Sequence, residues 1–471
     1  MNEISEQQKR LLQRAVRLRD MDEGARFVVQ AMRQVPAEEL LDPQWADIWD
    51  RVKRTVHRYL PTSIVNEVDK RLETVQRIDE ELQSIRLGQE AKVVFLLGAG
   101  ASAPEPSGIP TVMELLPELW RRARKIGRED LDALSDWCNE RGISNIEDLL
   151  TAAYIANFVA KNANVTGLLN YFLFRRRDEG GERDFFNSFE PGSPRRRLQP
   201  PADAASIALF QDTLQTLFGL LTSTMISAKP NTAHEAIVKF MQKRPLSTVV
   251  TTNYDGCIDE AMSAASLPFN VSAEGVAIDR NEQPTLVKMH GSINWAFCES
   301  CQDIRVFDLR QLKELFEHDD ASYAVIGVCT KCSGQRRPLL VPPLSFKSLL
   351  FPNLVGLWQM ARRKIEEADW LIVVGFSFSD AETYITKTIA RSLMLKSSQR
   401  TVVCDTNAEL APNLRTRFSA LIDGFDPKRV LRAANSCEII LPQLLETFTA
   451  EAGKTKLESA VAVEGVTSPA R

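Results

Sequence analysis

Five short runs constrain this chain most: Val93–Leu97, Leu246–Thr252, Thr285–Met289, Asp369–Val374 and Arg400–Cys404. They are rich in valine, leucine, isoleucine and threonine and alternate little with charged residues. That pattern reads as strands covered on both faces. Each run closes on glycine or polar residues: Gly98-Ala99-Gly100-Ala101-Ser102, Asn253-Tyr254-Asp255-Gly256, His290-Gly291-Ser292, Gly375-Phe376-Ser377 and Asp405-Thr406-Asn407. Helical stretches separate most of them, so the alternation predicts an α/β fold built on a doubly wound parallel sheet. In such a sheet the C-terminal strand ends line one crevice, where ligands bind. Polar residues at five strand ends are hard to explain as turn chemistry alone.

The loop Gly98–Ser102 admits two readings by itself. Small residues let backbone amides approach a phosphate closely, and a tight strand-to-helix turn without a ligand also needs glycine. The other strand ends favour the first reading.

With 471 residues, two or three units are expected, and 44% hydrophobic with 25% charged residues is an ordinary globular composition. A net charge of −4 argues against nucleic acid or anionic membrane as a direct partner. No apolar run reaches bilayer length and the first residues lack a secretory pattern, so a cytoplasmic location is expected.

Residues 1–90 read as an N-terminal helical extension. Its stripe Val68, Leu72, Val75, Ile78, Leu82 and Ile85 suits packing on the main domain or self-assembly. Residues 91–450 form the main domain, with a helical insertion over 113–230 and a cysteine module over 296–335, and 451–471 read as a flexible tail. Two arginine-rich stretches, 175–183 and 191–197, read as solvated loops rather than phosphate contacts.

Four of the eight cysteines form two Cys-x-x-Cys pairs, Cys298/Cys301 and Cys329/Cys332. Their intervening stretch of 27 residues is longer than in a typical zinc ribbon, but paired knuckles suit a tetrahedral four-thiolate metal site, with redox thiols as the alternative. Four protein ligands would leave no open position for catalysis. Among four histidines only His290 sits at a strand end beside glycine. An imidazole has the right proton affinity for a base, which outweighs the alternative of a core histidine, and a plain turn residue is the lesser alternative for Asn253.

The order of Gly98–Ser102, Gly108-Ile109-Pro110, Thr251-Thr252-Asn253-Tyr254-Asp255-Gly256, His290-Gly291-Ser292, the two cysteine pairs and Gly375-Phe376-Ser377 resembles that of sirtuins over about 91–410. The resemblance implies a Rossmann-like domain that binds NAD, beside a small module holding structural zinc through Cys298, Cys301, Cys329 and Cys332. It assigns the nucleotide to Gly98, Ala99, Gly100, Ala101, Ser102, Thr252, Gly375 and Ser377. Asn253 and Asp255 would secure the nicotinamide and its ribose, and His290 would be the base. Directed hydrogen bonds from Asn253 and Asp255 suit a cationic leaving group on ribose, whose departure leaves an oxocarbenium-like centre.

The chain also departs from protein-deacylating sirtuins. Thr111-Val112-Met113 stands where Phe-Arg follows Gly-Ile-Pro, and Pro338–Leu344, with Pro342-Pro343, stands where a Val-x-Phe-Gly-Glu segment helps bind peptide. Consecutive prolines remove amide donors and suit strand pairing poorly. Asp405 replaces the asparagine expected after the last strand and is able to hold an adenosine ribose. In these features the chain resembles the NAD-hydrolysing sirtuin-like proteins of bacterial anti-phage defence. That resemblance implies NAD⁺ as substrate, hydrolysis to nicotinamide and ADP-ribose, and action as a homo-oligomer or with a defence partner protein; the alternatives are an NAD-dependent protein deacylase or ADP-ribosyl transferase, or a sensor that binds NAD or ADP-ribose without turnover.

Overall fold

In a computed structural model, the residues described are 81–88, 90–161, 204–271, 283–298, 300–317, 327–341, 351–378 and 382–449. Most of the N-terminal extension, both arginine-rich stretches, Pro342-Pro343 and the tail lie outside them. Among the described residues no helix is long and apolar enough to cross a membrane.

Seven parallel strands form the main sheet: β1 (Val93–Leu97), β2 (Thr248–Thr251), β3 (Asn270–Val271), β4 (Thr285–Lys288), β8 (Trp370–Val374), β9 (Arg400–Asp405) and β10 (Val430–Ala434). Their order is β10-β9-β8-β1-β2-β4-β3. From β1 the chain builds outward through β2 and β4, then returns to the other side of β1 for β8, β9 and β10. The reversal falls between β1 and β8, the position where a parallel sheet opens a crevice at its C-terminal edge. All five expected strands are present. The short β3 and the alanine-ending β10 carry weak strand signals and extend the sheet at its two edges.

The strands are apolar on both faces because both faces are covered. Val94, Leu96, Val250, Val287, Leu371 and Val373 join one core cluster. Val93, Phe95, Leu97, Val249, Ile372 and Val374 alternate into the other. Burying each such side chain contributes roughly 1.5–3 kcal/mol.

The first cluster is roofed by helices between β1 and β2: α1 (Val112–Lys125), α2 (Asp132–Arg141), α3 (Ile146–Lys161) and α4 (Ala204–Ile226). The second is covered by α5 (Thr232–Lys243), α6 (Cys257–Ala264) and α11 (Cys437–Thr449). Three further helices complete the layers: α8 (Val355–Glu367) precedes β8, α9 (Thr383–Leu395) follows it, and α10 (Leu410–Leu421) follows β9.

A three-stranded antiparallel sheet, β5 (Gly291–Cys298), β6 (Ile304–Val306) and β7 (Arg336–Leu340), is ordered β6-β5-β7, and α7 (Leu309–Glu317) follows β6. The chain passes from β4 to β5 through Met289 and His290 alone. Gly291 makes this possible: its φ is +79°, and a Cβ there would stand 2.1 Å from the Leu339 carbonyl oxygen. The guanidinium of Arg337 on β7 lies 5.2 Å from the Tyr154 ring and 4.9 Å from the Phe218 ring, joining the small sheet to the helical roof by cation–π contacts.

Candidate active site and cysteine centre

Two loops meet backbone to backbone at the switch point. The Gly98 N–H donates to the Val374 carbonyl at 3.0 Å and the Gly100 N–H to the Gly375 carbonyl at 2.9 Å. Side-chain atoms at these glycines would collide: a Cβ on Gly98 would lie 2.6 Å from the Gly375 oxygen, and one on Gly100 2.8 Å from the Gly375 Cα. Ala101 and Ser102 also donate their amides within the loop, to Gly98 and Ala99. The glycines therefore answer first to this close approach of β1 and β8 loops. Four of the loop amides are committed inside the protein, a demand that spacing alone does not reveal.

Beneath the loop lies a buried polar cluster. Asn231 caps α5, its Oδ1 accepting from the amides of Ala233 and His234, while its Nδ2 donates to the Ala101 carbonyl at 2.9 Å. The Asn231 N–H donates to His234 Nδ1 at 3.2 Å. His234 Nε2 must then carry the ring proton and donate it to Ser102 Oγ, 3.3 Å away. Burial holds the imidazole below its ordinary pKa, with the Asp255 charge opposing.

Asn253 stands just past β2, half-buried. Its Nδ2 donates to the Gly98 carbonyl at 3.0 Å and to Ser102 Oγ at 3.2 Å. Both amide hydrogens are thereby engaged, and the side chain offers a ligand only its Oδ1, an acceptor able to order a water or a hydroxyl. Thr252 is held by its N–H to the Leu97 carbonyl at 3.1 Å.

Asp255 is buried two residues before α6 begins, its Oδ1 accepting the Cys257 N–H at 3.0 Å. Lys288, fully buried, donates to the Asp255 carbonyl at 2.7 Å and to Asp259 Oδ2 at 2.8 Å. That buried ion pair clamps the Asn253–Asp255 loop to β4.

His290 is buried, and its Nε2 lies 3.4 Å from Glu382 Oε1. The Tyr254 ring sits 6.3 Å from the imidazole, and its hydroxyl donates to the Val341 carbonyl at 3.0 Å. The Tyr254 carbonyl accepts from Ser292 Oγ at 3.1 Å and from the Ile293 N–H at 3.0 Å. The β2 and β4 ends are thus knitted together, Asn253 and Asp255 on one side and His290 on the other.

Other expected residues spread along the same edge. Ser377 is exposed past β8. Asp405 closes β9, its Oδ1 accepting the Asn407 N–H at 2.8 Å, and burial raises its pKa. Asn231, His234, Lys288 and Glu382 carried no motif in the sequence and join the site only through the fold.

The cysteine module brings its four sulfurs together within 4.8 Å of one another. Cys298 and Cys332 are 3.4 Å apart and Cys301 and Cys329 3.6 Å. A tetrahedral zinc with ~2.3 Å bonds to sulfur requires sulfurs about 3.8 Å apart. The donor set fits zinc, and the four cysteines can hold it.

Each knuckle turns through a left-handed residue, Gln302 at φ +58° and Ser333 at φ +59°. Arg336 Nη2 donates to Cys329 Sγ at 3.3 Å and pairs with Asp303, which also takes Lys331. At Cys329 burial raises the thiol, but hydrogen bonds from the Lys331 and Cys332 amides and from the Cys301 and Cys298 thiols together bring it down to about 6, while Cys301 beside it is pushed up to about 12. One thiol of each close pair, Cys329 and Cys298, is thus lowered towards the thiolate a metal needs.

A family profile described as a SIR2-like domain matches residues 247–419 of the chain. The match takes in Asn253, Asp255, His290, the four cysteines, Gly375 and Asp405; the glycine loop after β1 lies outside it. The chain is 28% identical over 180 residues to an NAD-dependent protein deacetylase of Clostridium acetobutylicum, covering 38% of this chain and 59% of that one. It is 30% identical over 155 residues to an NAD-dependent protein deacylase of Thermus thermophilus, covering 32% and 46%. The chain thus spans about half the length of the curated relatives it matches. Among solved structures, a Sir2 homologue in complex with NAD aligns at 17% identity over 79% of this chain and 93% of that one, with a TM-score of 0.40.

Proposed function

We propose that this protein is an NAD⁺ glycohydrolase that releases nicotinamide and ADP-ribose and acts by depleting cellular NAD in bacterial anti-phage defence. NAD⁺ lies across the sheet's C-terminal edge, its pyrophosphate near Gly98–Ser102 and its nicotinamide ribose between Asn253 and His290. The single observation that carries the reading is the state of Asn253. With both amide hydrogens held by Gly98 and Ser102, its Oδ1 is a fixed acceptor past the end of β2, the strand paired with β4, after which His290 stands.

In the reaction the bond from ribose C1′ to the nicotinamide nitrogen breaks and its electron pair neutralises the pyridinium. Water oxygen bonds to C1′, and its proton leaves through His290 to solvent. Asn253 orients the water or a ribose hydroxyl, and His290 takes the proton. Structural zinc, when bound by the four cysteines, would brace the small sheet that begins at Gly291.

Hydrolysis rather than deacylation is favoured by the β7 edge. A substrate peptide adding as a strand needs unbroken amide donors, whereas β7 contains Pro338 and is followed in sequence by Pro342-Pro343. The second reading, an NAD-dependent protein deacylase, is supported by the names of the relatives. Purified protein incubated with NAD⁺, with and without acetylated peptide, separates the two. Nicotinamide release without peptide, abolished by Asn253→Ala and His290→Ala, is expected. Release only when peptide is added refutes hydrolysis. Because activity can depend on a trigger, the assay includes phage lysate.

A further inference from the structure

Glu382 opens α9 at the edge of the crevice, and its side chain is only 7% exposed, beside a His290 side chain only 3% exposed. A carboxylate is costly to bury unless a partner compensates it, and an imidazole nitrogen lies 3.4 Å from this one. We infer that Glu382 is the positioning residue for His290, its carboxylate accepting a hydrogen bond from Nε2–H so that the basic lone pair of the imidazole is at Nδ1. The inference rests on the reading of His290 as the base of NAD⁺ cleavage and adds the group that orients it. When His290 takes the proton from water or a ribose hydroxyl, the imidazolium forms against an anion already in place.

The surroundings favour this arrangement. Glu147 on α3 lies within electrostatic range of Glu382, and burial, then the charges of Glu382 and Asp148, push its carboxyl up to about 7. Tyr254, facing the imidazole from the β2–α6 loop, stays neutral because burial raises its pKa well above the ordinary value. Beyond it lie Tyr154 and Arg337, stacked on each other at 5.2 Å. In the same loop the Asp255 carbonyl accepts from the Lys288 Nζ, which also pairs with Asp259.

The test compares full-length wild type, Glu382→Gln and Glu382→Asp by two readouts. The first is the titration of the histidine C2 protons by NMR, feasible with four histidines in the chain, with the His290 signal identified by its loss in His290→Asn. The second is the pH–rate profile of NAD⁺ consumption. In Glu382→Gln the His290 midpoint is expected to fall by about one pH unit, the acid limb of the profile to move the same way, and kcat to drop at least ~10-fold with little change in KM. Glu382→Asp, which keeps the charge, is expected to restore most of the midpoint. An unmoved His290 midpoint in folded Glu382→Gln overturns the inference. A midpoint that moves in a protein whose wild type consumes no NAD⁺ under any trigger supports the pairing and sinks the hydrolase reading instead.

Discussion

Replacing Gly375 by alanine should damage both the stability of this protein and the loops of its crevice. Gly375 has φ +57°, and a Cβ there would lie 2.3 Å from Ala101 N and 2.3 Å from the Gly100 carbonyl carbon. Two costs add. The left-handed backbone disfavours an L side chain by roughly 1–2 kcal/mol. The collision involves backbone atoms of both loops, which cannot rotate away, so overpacking adds about 1–3 kcal/mol. The sum is about 2–5 kcal/mol, together with displacement of the Gly98–Ser102 loop.

Gly424 supplies the control, because its φ is +67° and nothing lies within 4 Å of a Cβ built on it. Gly424→Ala isolates the backbone cost alone. Urea denaturation of both variants, followed by tryptophan fluorescence, should place Gly375→Ala below Gly424→Ala by the steric difference, about 1–3 kcal/mol. Nucleotide binding should be lost in the first and kept in the second. Equal unfolding midpoints for the two variants would refute the claim that close approach, rather than φ alone, dictates glycine at 375.

Four further outcomes are expected. Lys288→Ala leaves Asp259 buried without its cation and should destabilise by about 3–5 kcal/mol, whereas the double variant Lys288→Met/Asp259→Leu should recover most of that loss, both read by thermal unfolding. Metal analysis should find one zinc per chain; Cys329→Ser should lose it and lower the melting temperature, and a full-strength site in that variant would disprove the four-thiolate assignment. Tyr254→Phe removes the hydrogen bond to the Val341 carbonyl and should cost about 1 kcal/mol of stability in a calorimetric melt.

The half-buried Glu147 gives a pH signature. Its folded-state pKa of about 7 lies above the ordinary value of 4.5, so the native state binds the proton more tightly and stability falls as pH rises between those values. Glu147→Gln should remove that decline, gaining on wild type by the order of 2 kcal/mol at pH 8 relative to pH 4. A parallel pair of stability curves would contradict it.

What could be read without coordinates was whatever depends on local pattern. Apolar runs with polar ends need only the two-sided burial of a parallel strand to be recognised, so β1, β2, β4, β8 and β9 were legible. The paired cysteine knuckles and the Asn253 and His290 loops were legible for the same reason. β5 was not: it starts at a glycine inside a motif and ends at a cysteine, and its eight residues are buried by neighbours distant in sequence. β10 was missed because Val-Leu-Arg-Ala-Ala carries little strand propensity and is held by pairing with β9.

The partners of the candidate site belong wholly to the tertiary structure. Glu382 stands 92 residues from His290, and Ser102 132 residues from His234; a contact of that separation leaves no periodicity to detect. The glycine loop shows the division most clearly. Its composition announced that backbone must come close to something. Only the sheet order, with β8 returning beside β1, decided that the first thing it meets is the backbone at Gly375, since steric fit between distant segments is set by topology and not by either segment alone.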